Sequence, residues 1–456
     1  MELKFPEKWL FATLLFVALC NAVLAVPNMD TTNSDSTQSA SAAQDAGADD
    51  SWALHGQISN ITQKHAEITA PYSSTNSLSQ RGPAEETTDI TLFIGKRLWQ
   101  GAELWLNPEI DQGFGFNNTL GLAGFPNGAA YKLGKSAPYL RFQRLFVRQV
   151  FSLDNALTAT TAAPNQFSML QSADNLTLTI GKFSVVDVFD TNSYAHDPRA
   201  DFLNWTSIES GAYDYAADPW GYTFGAALEW NQDDWTVRAG FFQLSPVPNS
   251  KIVRMNFGEN STNFELENRH VWLEHPGKIK LLVWLNQARM ASYRDALAES
   301  SAVPEVASVR HYGSRPGVAF NMEQELTRDL GAFARLSANR SDKETYEFSD
   351  INQSVSTGLS LKGSGWNRPD DAIGLAIVEN RISSNAQSYF AAGGLGILIG
   401  DGHLNYAPEK ILEIFYSVQV TSNFTLALDY QHIANPAYNQ DRGPVSIAGI
   451  RLHGSF

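Results

Sequence analysis

The chain has 456 residues, enough for two or three domains by length, and a net charge of −15. That charge leaves no basic surface able to release counterions from phosphate, so no nucleic-acid partner is expected. The one cysteine, Cys20, lies near the N-terminus, which excludes disulfides and thiolate metal sites from the rest of the chain.

Lys4 and Lys8 precede the apolar run WLFATLLFVALCNAVLA, and small residues follow at Val23 and Ala25. This predicts a cleaved secretory signal peptide over 1–25. The run, about 17 residues long, is at the lower edge for a transmembrane helix. Leu19 stands where a lipoprotein site before Cys20 would want a small residue. Residues 26–50 are rich in Ser, Thr, Ala and Asp with no basic residue, and read as a disordered acidic leader. The body is then residues 51–456.

After Ala25 no apolar run approaches helical spanning length, yet 43% of the chain is hydrophobic and only 18% charged. Such a chain can still cross a membrane as a closed β-barrel, where alternate residues face lipid. Alternation is the test. Residues 102–109 set Leu104 and Leu106 against Glu103, Trp105 and Glu109; residues 234–242 set Trp235, Val237, Ala239 and Phe241 against Thr236 and Arg238. Residues 410–420 and 423–431 repeat the pattern, the latter with Phe424, Leu426, Leu428 and Tyr430 on one face.

In chain order the predicted strands are 52–61, 88–99, 102–110, 140–151, 175–186, 220–230, 234–243, 264–274, 278–288, 316–325, 331–340, 354–362, 371–381, 410–420, 423–433 and 443–456. Tight links are expected at Gln100-Gly101, Asn231 to Asp233, Pro276-Gly277, Asp329-Leu330 and Thr421-Ser422; longer ones fall between, at 111–139, 187–219, 244–263, 289–315 and 382–409. The rhythm predicts an all-β fold: a transmembrane antiparallel β-barrel of about 16 strands, with short periplasmic turns and long external loops. Residues 152–174 are too long for the short turn expected there. The apolar stretch 388–399 does not alternate and is assigned to a long loop; Gly394 and Gly396 lack the third glycine of a dinucleotide fingerprint. Near the end, Ile450, Leu452 and Phe456 should face lipid, and Arg451 and His453 the lumen. Val445 and Ile447 break that phase, which calls for a bulge near Ala448-Gly449 or a sealed outer end. A barrel of this size encloses an aqueous channel, so a diffusion pore is the default; a secreted sugar-binding β-protein is the alternative of another class.

Six blocks in order carry a family resemblance: RLWQGAELWLNPEIDQGFG (97–115), RLFVRQ (144–149), GKFSVVDVFDTNSYAHDPRADFLNW (181–205), DYAADPWGYTFGAALEW (214–230), LNYAPEKILEIFYS (404–417) and NPAYNQDRGPVSIAGIRLHGSF (435–456). From about Trp52 to Phe456 the chain resembles the carbohydrate-selective porin (OprB) family of Gram-negative outer membranes. The resemblance implies a sixteen-stranded barrel passing monosaccharides and small oligosaccharides passively, with inward-folded loops narrowing the channel. A general porin without sugar preference is the competing transport reading. It also implies outer-membrane lipid as surroundings and a C-terminal Phe read by the barrel-assembly machinery. Porin-like barrels often form homotrimers, although the outward parity marks no flat interface. Lys96 departs from the family pattern: it shares the apolar parity of Leu92, Ile94 and Leu98, and should snorkel near Trp99.

A neutral sugar needs paired donors and acceptors for its hydroxyls and a flat partner for its ring, held weakly enough to let go. The wet parity supplies Arg97 on one strand, Glu103, Trp105 and Glu109 on the next, and Arg144 and Arg148 on a third. Arginines facing carboxylates would suit polyols and disfavour bulk ion flow. A second cluster, Asp187, Asp190, His196, Asp197, Arg199, Asn204 and Trp205, crowds one long connection, which by resemblance is a family signature expected near the constriction. The competing role for both groups is structural: lumen charges pairing on the wall, and a latch tying the loop down. Carboxylate pairs such as Glu103 and Glu109 arise by chance among 48 acidic residues, so no glycosidase is read. The nine histidines show no His-x-x-x-His or His-x-His spacing, so neither metal nor other cofactor is expected.

Overall fold

Alternation becomes hydrogen-bonded pairing in the structure, a computed structural model that describes residues 51–299, 302–348 and 350–456. The signal peptide and acidic leader expected over 1–50 lie outside these residues. The strands are Trp52–His65 (β1), Glu85–Trp99 (β2), Ala102–Gly113 (β3), Lys135–Ser152 (β4), Leu157–Thr160 (β5), Met169–Ser172 (β6), Asn175–Phe183 (β7), Thr223–Gln232 (β8), Trp235–Gln243 (β9) and Asn260–Trp272 (β10). They continue as His275–Met290 (β11), His311–Thr327 (β12), Leu330–Asn339 (β13), Gln353–Gly363 (β14), Arg368–Arg381 (β15), Glu409–Thr421 (β16), Phe424–Ala434 (β17) and Val445–Ser455 (β18). All but β5 and β6 close into one antiparallel barrel of 16 strands, each paired with its sequence neighbour, and β1 pairs with β18 from Gln57↔Ser455 to His65↔Ile447. Each expected strand overlaps one of these sixteen.

Period two sorts the side chains. Leu145, Ile180, Leu281, Leu336, Ile377, Leu428 and Ile450 are half exposed on the outer wall, where lipid covers them. Trp99, Trp230, Trp235, Trp272 and Phe456 stand exposed beside the short turns, an aromatic belt at that rim. Lys96 lies on the outer face with its ammonium 4.6 Å from the Trp52 ring.

The geometry corrects two expectations and decides a third. The Pro276-Gly277 turn is in fact part of β11: the chain reverses at Leu273-Glu274, both at positive φ. Gly277 is needed because it faces His270, whose ring would lie 2.6 Å from an added Cβ. Residues 152–174 form no short turn but the β5–β6 hairpin. No bulge occurs near Ala448-Gly449: β18 keeps unbroken register with β17, and Val445 and Ile447 join Arg451 on the inner face. These two belong to an apolar cluster with Ile433, Ile411, Phe116 and Leu78, which seals that end, the other outcome expected.

The lumen is not empty. Loops 114–134 and 184–222 and the described residues of 340–352 fold inward, and most of these residues are buried. The stretch 382–408 opens with a helix, Ser384–Ala391, whose Tyr389 and Phe390 join the core together with Leu398 and Ile399. Wall carboxylates hold these loops by their backbone N–H groups. Glu409 accepts from Gly124 at 2.7 Å, Ala123 and Ala437; Glu413 accepts from Leu203, Asn204 and the Ser207 hydroxyl; Glu323 accepts from Ser193. Arg451 donates to the carbonyls of Pro198, Ala200 and Asp201, and Arg335 to that of Ala195. A carboxylate or guanidinium buried without such partners would be strongly unfavourable. Here each ion satisfies several orphan groups of an irregular loop.

Candidate functional site

Loop 184–222 crosses the lumen and leaves a water-accessible cavity of about 500 Å³ beside β3, β4 and β7. That size is within the range of roughly 300–1,000 Å³ common for small-molecule sites. Of the residues expected along the solute path, Glu109, Arg144, Arg148, Asp187, His196, Asp197, Arg199 and Trp205 line it.

A kink of register aims the arginines. Between Asn107↔Arg144 and Pro108↔Phe142 one residue of β4 is unmatched, so Gln143 is buried on the inner side while Leu140, Phe142 and Leu145 stay on the outer face. Arg144, Phe146 and Arg148 line the cavity from one side of this bulge. Beyond it, Arg141 turns inward to Asp218 at 3.0 Å and stacks on Trp220.

The guanidinium groups are paired. Arg144 binds Asp187 through two bonds of 2.6 and 2.8 Å and reaches toward the Tyr222 hydroxyl at 3.4 Å. Asp187 in turn caps the turn at Ser184 by accepting its N–H. Arg148 binds Glu103 at 2.6 Å and the Asn165 carbonyl at 2.6 Å. Arg199, carried by the loop, binds Asp89 at 3.0 Å and lies 3.9 Å from both Glu109 and Asp197. Glu109 also accepts from Thr91 at 2.6 Å and Gln143 at 2.9 Å. Lys132, also on the cavity wall, donates to the Glu347 carbonyl and lies over the Phe348 ring; burial lowers its pKa to about 8. Burial, and then the nearby Arg335 cation, lower the pKa of His196.

The other five expected residues are placed away from the cavity wall. Glu103, Trp105 and Arg97 lie where the β5–β6 hairpin enters from the short-turn end. Trp105 is fully buried; its indole N–H donates to Glu103 at 2.9 Å and its ring packs on Phe167. The Phe167 N–H donates to Glu103, and Arg97 lies over the Phe167 ring and donates to the Ser168 carbonyl. Asp190 is buried, accepting from Ser210 and Asn321. Asn204 caps the one-turn helix Trp205–Ile208 and donates to Gly124 and Gln431. Trp205 lines the cavity by its edge only: its faces are stacked at 5.3 Å against Phe125 and Phe348.

Sequence reasoning overlooked Asp89, Lys132, Glu209 and Tyr222. Asp89 shares the inward parity of Thr91, so parity could have found it. Lys132 and Glu209 lie on irregular connections with no periodic signal, and Tyr222, inside the strand expected over 220–230, directly precedes β8.

A closed antiparallel barrel with a polar, loop-constricted lumen, an apolar outer wall and an aromatic rim is a porin of the outer membrane. The family model described as carbohydrate-selective porin, OprB family, matches residues 75–456. The chain belongs to that family. Its place is the outer membrane of a Gram-negative cell, and a porin is a channel, not an enzyme. Among solved structures it is similar to Pseudomonas putida OprB at high pH, with 15% identity, a TM-score of 0.67, and 90% of this chain and 95% of that chain covered. It also aligns with the outer-membrane channel DcaP of Acinetobacter baumannii at 10% identity and a TM-score of 0.49, covering 89% of this chain and 97% of that one. No curated protein sequence matches it.

Proposed function

We propose that the chain is a passive diffusion channel for monosaccharides and small oligosaccharides, with its selective region at the cavity of loop 184–222. The observation that carries this reading is the pairing of the wall: Arg144, Arg148 and Arg199 each hold a carboxylate within 3.0 Å. Paired ions present little net field to a passing anion or cation, yet a guanidinium has five N–H donors and a carboxylate about four acceptor sites. The spare groups suit a neutral polyol. The bonds are dispersed over the wall, which keeps any one contact weak enough for exit. Solute then moves down its gradient with no cofactor.

Two further elements belong to the same reading. Residues 1–25 act as a cleaved export signal, and the terminal Phe456 is recognised by the barrel-assembly machinery. A homotrimer is the oligomeric state to test, by cross-linking in membranes. The decisive experiment is conductance of the purified channel in planar bilayers with glucose or a disaccharide added. Concentration-dependent block of ion current is expected. Current unaffected by any sugar would make it a general porin, and recovery of the mature protein from the soluble periplasm would end the channel reading.

A further inference from the structure

Glu209 follows directly on the one-turn helix Trp205–Ile208, and its N–H donates to the Trp205 carbonyl at 3.1 Å. Its side chain lines the cavity, is 3% exposed, and has Oε2 with no hydrogen-bond partner. The other carboxyl groups on the cavity wall are all engaged. Glu109 is held by Thr91 and Gln143, Asp187 by Arg144, Asp197 by the Arg199 N–H, and Glu229 by Arg238 at 2.8 Å. Among the described residues, Glu209 is therefore the one cavity-lining carboxyl group without a partner. A buried polar group left in that state is costly, and native proteins rarely keep one without a use.

We propose that Glu209 is a sugar-recognition residue, whose carboxyl group hydrogen-bonds a hydroxyl of a neutral monosaccharide unit in the cavity. The inference rests on the carbohydrate-channel reading above. The edge of Trp205, with Tyr215 and Phe348, adds apolar lining to the same cavity. Burial, and next the neighbouring Asp190, push the Glu209 carboxyl well above the ordinary carboxylate range, against the pull of Arg335. That shift favours the protonated form, which can both donate and accept. In that form the group gives the cavity a hydrogen-bonding point separate from the paired ions on β4.

Sugar block in planar bilayers tests this, with glucose as the probe and the full mature chain as the channel. Glu209→Ala should weaken the block constant about tenfold, the scale of one lost hydrogen bond in a buried site. Glu209→Gln, which keeps two hydrogen-bonding atoms in place, should stay within about threefold of wild type. Unchanged block in Glu209→Ala overturns the proposal while leaving the channel reading intact, and so does a Gln variant as impaired as the Ala one. Where Glu209→Ala fails to assemble, Glu209→Asp draws the carboxyl back by one methylene; weaker block supports the proposal and unchanged block overturns it. If wild-type current is not blocked by any sugar, the carbohydrate reading itself falls and the proposal with it.

Discussion

At Arg144 the proposed selectivity and the architecture meet in one residue. Its guanidinium is fixed by Asp187, which is itself tied to the Ser184 turn, so its remaining donors have a defined direction. Replacing Arg144 by Ala removes those donors and leaves Asp187 unpaired on the cavity wall. The expected outcome is sugar block weaker by about tenfold, together with a reversal potential shifted toward cations. Adding Asp187→Asn should restore the ion selectivity and leave block weakened. Restored block in the double variant would assign recognition elsewhere. Arg148→Ala should likewise shift selectivity toward cations, since Glu103 loses its partner; an unchanged reversal potential would show Glu103 screened from the ion path. Parity placed Arg144 and Arg148 on the inner face, because period two is a local property of a strand. The partner of Arg144 lies 43 residues away, and no local pattern reports that.

The hairpin β5–β6 is the element that sequence left without an address. Its tip reaches the cavity through Pro164, Asn165 and Gln166, while Phe167 is buried against Trp105 and Arg97. It thereby narrows the channel from the short-turn end. Ser152 and Asn175 remain paired at its base, so the strands could be joined directly. Replacing residues 153–174 with an Asn-Gly turn, which suits a two-residue hairpin, should preserve assembly and raise single-channel conductance. Equal conductance would mean that ions do not pass the hairpin tip. Here the length of 152–174 was a visible misfit, but its destination depends on Glu103 and Arg148 of the barrel wall. The Pro276-Gly277 dipeptide misled for a related reason: it carries turn chemistry, yet the glycine is used for close approach of the His270 ring.

At the scale of the whole molecule, closure joins the first and last strands, and the last residue takes part. Phe456 exchanges backbone hydrogen bonds of 3.0 Å with Gly56, and its ring occupies the space that a Cβ on Gly56 would need. Deleting Phe456 should reduce the yield of heat-modifiable, folded barrel in the outer membrane without changing conductance of the channels that do assemble. Full yield would show that closure and assembly are independent of it. The final stretch also shows where alternation stops being a guide. Val445 and Ile447 are apolar and face inward because loop residues such as Phe116 and Leu78 pack on them.

The sequence by itself determined the barrel, its strand number and the inward parity of Arg144, Arg148 and Glu109, and it gathered the polar cluster 187–205 on one long connection. These follow from period two, link lengths and six matching blocks, all of them readable along the chain. Only the tertiary structure decided which charges meet and which residues reach water. Trp105 read as a flat partner for a sugar and Trp205 as part of the cluster near the constriction, yet one is sealed beneath the hairpin and the other is sandwiched between Phe125 and Phe348. Glu209 had no signal at all, and becomes notable because its neighbours leave it without a partner. The physical reason is that alternation fixes only which side of a strand a residue faces, whereas loop packing inside a lumen is settled by contacts between residues distant in the chain.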